Sequence, residues 1–253
     1  MIWKSLLCAV MVFFSDDVQA LVSLSGTRLI FDGRFREATI QVSNRGNAQV
    51  LIQAWLADAR NPDAASSQLP FVVTPHLAQL PALGKQALRV MYEGVGMPVD
   101  RESLLYLYVL EVPRRSEARQ QLSIAVRQRI NVFYRPEGLP GDPADAAQSL
   151  VWQGAALDRS TLKVHNPTPF HVVLQRIAIS GVEVSEDLML APFAELSLPI
   201  ADSPSARLTS GQLSFKALTD YGGLRDFCAQ VEENTPFNAR LRMPSAQSSI
   251  GKC

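Results

Sequence analysis

The chain has 253 residues, of which 47% are hydrophobic and 19% charged, a composition typical of a globular protein rather than a disordered or fibrous one. At roughly 100 to 150 residues per domain, this length predicts two domains. Lysine and arginine (24 together) balance aspartate and glutamate (24 together), so no overall charge attracts the chain to nucleic acid or anionic lipid. A partner must therefore be recognised by shape and by local charge.

The first 20 residues have the features of a secretory signal peptide. Lys4 precedes an apolar run over 6–14, and the segment ends at Ala20, a small residue that suits a cleavage site. The apolar run is too short for a membrane anchor, and acidic residues follow it. No later segment is long and apolar enough to span a bilayer. We therefore predict a signal peptide over 1–20 and no membrane insertion of the mature chain.

The cysteines predict one disulfide in the mature chain. Cleavage after Ala20 removes Cys8 and leaves Cys228 and Cys253, an even pair in an oxidising compartment. The alternative is a pair of free thiols, with a tail too mobile to hold a fixed bridge geometry.

The first half of the mature chain has the pattern of a β-sandwich. Polar and apolar residues alternate over 38–43 and again over 121–126, which predicts half-buried strands. The run 104–110 (LLYLYVL) is apolar or aromatic throughout, which predicts a central strand buried on both faces. Turn-forming residues separate these segments, as in an antiparallel sandwich.

A proline- and glycine-rich stretch over 135–148 separates the two halves and predicts an interdomain hinge. We assign an N-terminal domain to 21–136, a linker to 137–147 and a C-terminal domain to 148–253. No capped helical periodicity occurs in the mature chain, so both domains are predicted to be all-β. Short β-like runs in the second half cover 161–164, 171–179, 188–192, 195–200 and 213–218.

Enzymatic chemistry has no support in the sequence. His76, His165 and His171 lack the spacing of metal ligands and are interpreted as surface or turn residues. Asp142 and Asp145 have no apolar surroundings to shift their pKa, so we interpret them as solvated charges. The mature chain contains no nucleophile, phosphate-binding or redox motif. We predict no catalytic residue, no metal and no cofactor.

Eight segments occur in one order along the chain: TRLIFDG (27–33), QAW (53–55), DRESLLYL (100–107), EVPRRSE (111–117), NVFYRP (131–136), NPTPF (166–170), MLAP (189–192) and TDYGG (219–223). Together they resemble the periplasmic chaperones of chaperone-usher pilus assembly, the PapD-like family. The resemblance implies two immunoglobulin-like β-sandwiches in an L-shaped arrangement. It also implies pilus subunits and an outer-membrane usher as partners, with no nucleic acid. The chain after Ala229 extends beyond the resemblance.

The family completes an unfinished subunit sandwich by donating a strand of its own. The segment at 121–134 is the candidate donor here, with Leu122, Ile124 and Val126 entering the subunit's groove at alternate positions. The alternative is an ordinary sandwich strand that buries these residues in the chain's own core.

The family also binds the subunit's C-terminal carboxylate with two basic residues in the interdomain cleft. Arg28 matches the first of these, and its guanidinium suits bidentate carboxylate binding. The second is usually a lysine, but Asn131 occupies its position. Three alternatives follow: Arg28 acts alone, Arg129 on the same strand face substitutes, or the terminus is held differently.

Three further residues match a charged set that sets the interdomain angle in the family: Glu102, Arg135 and Asp220. We expect them to meet at the domain junction. Two other functions remain open from the sequence: an exported pilus subunit or adhesin, and a secreted two-domain binding module.

Overall fold

A computed structural model places the chain in two β-sandwich domains. It describes residues 22–62, 69–113, 124–154, 161–200, 211–231 and 235–242. Within these ranges the regular structure is β-strand, apart from a 3-10 turn at Pro143–Asp145. No helix in the described ranges has the length and apolarity needed to cross a bilayer. The all-β prediction is confirmed.

The first domain packs a four-stranded sheet, in the order β1-β3-β7-β5, against a five-stranded sheet, β2-β9-β8-β4-β6. The strands are β1 (Val22–Leu24), β2 (Arg28–Asp32), β3 (Glu37–Asn44), β4 (Val50–Asp58), β5 (Phe71–Thr74), β6 (Leu77–Leu80), β7 (Lys85–Tyr92), β8 (Ser103–Pro113) and β9 (Val126–Arg135).

Strand β8 is central in its sheet, as predicted, since β9 and β4 pair with it on its two sides. The prediction that both of its faces are buried was wrong. Leu105, Leu107 and Val109 are buried in the core, whereas Tyr106 and Tyr108 between them are only half-buried. The two faces of a strand alternate residue by residue, and the aromatic character of 104–110 concealed that alternation.

An aromatic cluster lies at one end of the first core. The rings of Phe31 and Phe71 meet edge to face with centroids 5.6 Å apart, and those of Tyr92 and Tyr134 lie 4.7 Å apart. Burial, with a contribution from Tyr92, raises the pKa of Tyr134 to about 12. Both sheets contribute to this cluster, so it fixes the position of β9 relative to the opposite sheet.

Strand β2 runs parallel to β9 and connects to a tight turn at Gly33. The Gly33 N–H donates to the carbonyl of Arg135 at 2.7 Å. A Cβ atom at this position would lie 2.8 Å from the same oxygen, so only glycine allows the close approach. The turn therefore holds Arg135 in place at the domain junction.

The second domain packs the sheet β14-β11-β10-β17 against the sheet β13-β12-β15-β16-β18. Trp152, Phe215 and Phe227 form its aromatic centre, and Ala146 and Ala147, which precede β10, join the same core. The strands are β10 (Val151–Gly154), β11 (Thr161–His165), β12 (Val172–Ile179), β13 (Val182–Leu190), β14 (Glu195–Pro199), β15 (Gln212–Leu218), β16 (Leu224–Gln230), β17 (Phe237–Asn238) and β18 (Arg240–Leu241).

Candidate functional site

Strand β9 has an open edge over its first half. It pairs with β8 over 126–134, whereas β2 pairs with it only over 131–135. Among the described residues, 126–130 therefore have a neighbouring strand on one side only. Unpaired backbone groups on such an edge are available to another strand.

The chain just before this edge lies outside the domain core. Ile130 and Val132 point into the core, but Ile124, at the same parity, is 59% exposed. The alternative that Ile124 is packed in the chain's own core is therefore wrong. Val126 is half-buried, and Leu122 lies outside the described residues. The strand begins at Val126, because no neighbouring strand pairs with the two residues before it.

Two side chains bind the first strand beside this edge. The Val22 N–H donates to Oε2 of Glu111 at 3.1 Å, and Nε2 of Gln128 donates to the Val22 carbonyl at 2.8 Å. Gln128 belongs to β9 itself, so β1 and the open edge are coupled. Burial raises the pKa of Glu111, and the Val22 hydrogen bond only partly opposes this.

This raised pKa predicts a pH dependence of stability. The folded chain holds the Glu111 proton to higher pH than the unfolded chain, so ionisation of Glu111 costs stability as pH rises above about 4.3, the ordinary glutamate value. We expect Glu111→Gln to be more stable than the unsubstituted protein at pH 7 and equal to it near pH 3. Urea unfolding across this range measures the difference; a constant difference at every pH would contradict the assignment.

A cavity of about 360 Å³ lies between the two domains. Arg28 lines it from β2, and the guanidinium carbon lies 5.7 Å from the centroid of the Phe133 ring. The Nε atom of Arg28 is buried, and no acceptor of the described residues lies within hydrogen-bonding distance of it. Burial lowers the pKa of Arg28, while Asp220 and Glu102 act in the opposite direction. A half-buried guanidinium with an unused donor suits an anionic ligand.

The other two predicted anchor residues lie along β9, away from the cavity lining. Asn131 is the register partner of Arg28, so the two side chains are neighbours on one face of the sheet. Arg129 shares that face, as its parity predicted, and the guanidinium carbon lies 4.5 Å from the centroid of the Tyr106 ring. Neither residue is among those that line the cavity.

Arg225 brings a further basic group to the cavity, besides Arg28 and the ion-paired Arg135, and the sequence analysis missed it. It belongs to β16 and lines the cavity together with Arg28. Its Nη1 lies 3.4 Å from the carbonyl oxygen of Ala144, a long hydrogen bond that leaves other donors free. The available signal was its position on the strand that follows the TDYGG turn.

The three predicted junction residues meet between the domains. Arg135 Nε donates to Oε1 of Glu102 at 2.7 Å, and Nη1 and Nη2 of Arg135 donate to Asp220 at 2.8 and 3.2 Å. The Glu102 side chain is only 2% exposed. Burial acts to lower the pKa of Arg135, but Asp220 and Glu102 outweigh it and hold that pKa above its ordinary value. The two carboxylates belong to different domains, and Arg135 joins them.

His171 also belongs to this junction; it follows a turn, one of the two places predicted for it, but it does not lie on the surface. Its side chain is only 7% exposed, and its backbone N–H donates to Oε2 of Glu102 at 2.7 Å. The ring centroids of His171 and Phe133 lie 5.3 Å apart. His171 follows the NPTPF turn, which carries it into contact with the first domain.

Cys228 is buried in β16 and takes part in a disulfide. Its predicted partner, Cys253, lies outside the described residues, so the pairing stays a prediction. Among the described residues, no group of three His, Cys, Asp or Glu side chains is placed to hold a metal ion.

Comparisons with known proteins identify the family. Residues 21–140 match the N-terminal domain of the pili and flagellar-assembly chaperone PapD, and residues 145–229 match the C-terminal domain of the pili assembly chaperone PapD. The chain belongs to this family of pilus-assembly chaperones, which confirms the resemblance predicted from its motifs.

Individual relatives cover nearly the whole chain. The chaperone protein FimB/FhaD of Bordetella pertussis is 33% identical, over 89% of this chain and 94% of its own. The crystal structure of the E. coli chaperone DraB is 30% identical, with a TM-score of 0.70 over 83% of this chain and 96% of that one. A chain from the complex of Salmonella enterica SafA pilin with the SafB chaperone is 29% identical, with a TM-score of 0.69. The match covers 87% of this chain and 95% of that one.

Proposed function

We propose that the protein is a periplasmic chaperone that binds pilus subunits by donor-strand complementation and delivers them to an outer-membrane usher. The open edge of β9 over 126–130 carries the proposal, because a subunit that lacks a strand can pair with this edge. The complex of SafA pilin with the SafB chaperone among the structural relatives supports a pilus subunit as the partner.

The residues before the edge supply apolar contacts for that pairing. Ile124 is exposed and Val126 is half-buried, so both have apolar surface to bury in a partner's groove. At about 25 cal/mol per Å² of apolar surface buried, each aliphatic side chain contributes about 1 to 2 kcal/mol before ordering costs. Main-chain hydrogen bonds provide the remaining affinity, and the alternating side chains set the register.

The cavity supplies the second half of the proposed site. The subunit's C-terminal carboxylate binds Arg28, whose buried Nε has no acceptor among the described residues. Arg225 lines the same cavity and adds a positive charge that, unlike that of Arg135, is not paired with Glu102 and Asp220. A carboxylate held at this end and a strand paired along β9 together fix the subunit's register on the chaperone.

Co-expression in the periplasm tests the proposal directly. The chaperone, tagged at its C-terminus, is purified together with a pilus subunit encoded near its gene. We expect a stable one-to-one complex and protection of the subunit from aggregation. A subunit that aggregates equally with and without the chaperone, and never co-purifies with it, contradicts the proposal.

A charge at the donor position is expected to weaken the complex. Ile124→Asp places a carboxylate where an apolar side chain enters the subunit's groove, and we expect the affinity to fall at least about tenfold. Val95→Asp is the matched control, because Val95 is 69% exposed on the loop that enters β8 at the end opposite to its pairing with Val126. Competition for a labelled subunit measures both variants; equal loss in both would contradict the role of Ile124.

A further inference from the structure

Two arginines of β9 lie over aromatic rings of β8 on the outward face of the five-stranded sheet in the first domain. The guanidinium carbon of Arg127 lies 5.2 Å from the ring centroid of Tyr108, and that of Arg129 lies 4.5 Å from that of Tyr106. Trp55 stacks on Tyr108 with centroids 5.2 Å apart and planes 16° from parallel. We call these five residues the arginine–aromatic face.

The arginine–aromatic face is continuous with the interdomain cavity. Arg127 and Arg129 occupy alternate positions of β9, so their Cα atoms are about 6.8 Å apart. Asn131 is the next outward residue, and Arg28 lies beside it in register. The three arginines therefore follow one another along the outward face, with Arg127 and Arg129 on the open edge and Arg28 at the cavity.

The positive charge of this face is not neutralised within the described part of the chain. Strand pairing places Trp55, Tyr108 and Arg129 across from one another. The outward positions of β4, β8 and β9 carry no carboxylate in the described ranges. Arg127 and Arg129 are exposed, and no described carboxylate forms an ion pair with either of them. Two like charges on one strand face repel each other, and a partner carboxylate would relieve that repulsion.

Stacking prepares these guanidinium groups for a carboxylate. An arginine that places its flat face on an aromatic ring keeps its N–H edge free for bidentate hydrogen bonds. The ring also restricts the side chain, so less conformational entropy is lost on binding. The neighbouring apolar surface of Trp55, Tyr106 and Tyr108 is half-buried and can be covered by the same partner.

We propose that the arginine–aromatic face binds a surface of the pilus subunit that presents carboxylates among apolar side chains, and that it selects subunits by this charge. The inference rests on the proposed function. The arginine–aromatic face lies between the open edge of β9 and the interdomain cavity. A subunit whose strand pairs with that edge and whose C-terminus lies in that cavity therefore passes beside the face. The face therefore contributes to the specificity and rate of capture, while the edge supplies the backbone pairing.

A double substitution tests the charge. Arg127→Gln/Arg129→Gln removes both charges, and Arg60→Gln/Arg89→Gln removes two charges that already have partners, Asp58 and Glu37, elsewhere in the same domain. At about 50 mM NaCl we expect the first variant to bind the subunit about tenfold more weakly than the control. At about 300 mM NaCl the difference should narrow, because salt screens charges on an exposed surface.

A photocrosslinker identifies the occupant independently of affinity. With Tyr108 replaced by p-benzoylphenylalanine, we expect irradiation of the purified complex to yield a covalent chaperone–subunit adduct. An adduct between two chaperone copies, with no adduct to the subunit, overturns the inference in favour of self-association. Equal affinity of both double variants for the subunit at low salt overturns it as well.

Failure of the face variants or of the crosslinking experiment can be distinguished from failure of the proposed function. If the unsubstituted chaperone captures the subunit and Ile124→Asp weakens that capture, the proposed function holds whatever the face variants do. If the unsubstituted chaperone captures no subunit, both the proposed function and the inference are overturned.

Discussion

Arg28→Ala is expected to weaken the complex with the pilus subunit at least about 100-fold while leaving the chaperone folded. A subunit carboxylate in the cavity would lose its guanidinium partner in a half-buried site, where truncation of one charged partner costs several kcal/mol. The free chaperone tolerates the change, because the buried Nε of Arg28 has no acceptor among the described residues. Titration of the purified variant with subunit measures the loss.

Two companion variants make this prediction specific. Arg28→Lys keeps the charge but not the bidentate fork, so we expect an intermediate loss of about tenfold. Arg89→Ala, which removes an exposed arginine from the opposite sheet, should bind as the unsubstituted chaperone does. An Arg28→Ala variant that unfolds at the same urea concentration and binds subunit with unchanged affinity contradicts the anchoring role.

Arg135→Ala is expected to lower the free energy of unfolding by about 3 kcal/mol and to widen the range of interdomain angles. The substitution leaves Glu102, whose side chain is 2% exposed, without its guanidinium partner, and it cuts the link to Asp220 in the other domain. Urea unfolding gives the first quantity, and small-angle X-ray scattering reports the second.

The control for this prediction is a surface ion pair. Arg60→Ala removes the ion pair between Arg60 and Asp58. The Arg60 side chain is 87% exposed, so the free energy of unfolding should change by less than about 1 kcal/mol. If Arg135→Ala is as stable as that control and its scattering profile is unaltered, the ion pairs of Arg135 do not set the angle between the domains.

Patterns within the sequence predicted much of the fold. The alternation over 38–43 corresponds to β3, and the β-like runs of the second half correspond to β11, β12, β14, β15 and the end of β13. These patterns succeed because a half-buried strand has a period of two residues. The pattern was less informative for β8. Its outward-facing residues include Tyr106 and Tyr108, which are too hydrophobic to be told apart by sequence from the buried leucines beside them.

The junction shows what a pattern cannot supply. Glu102, Arg135 and Asp220 are far apart in the chain, and only a resemblance to known chaperones grouped them before the structure brought them within hydrogen-bonding distance. His171 has no local signal of its own, and the signal for Arg225 is limited to its position on the strand after the TDYGG turn. Their places at the junction and in the cavity follow from the way the two domains pack, which is a tertiary contact.

Amide hydrogen exchange along β9 tests the central claim most directly. Over 126–130 the free chaperone has strand pairing on one side only, so bound subunit should slow exchange there at least about tenfold. Strand β13 in the second domain provides an internal reference. Exchange over 126–130 that is equally fast with and without bound subunit would show that no strand is added at this edge, which contradicts the account.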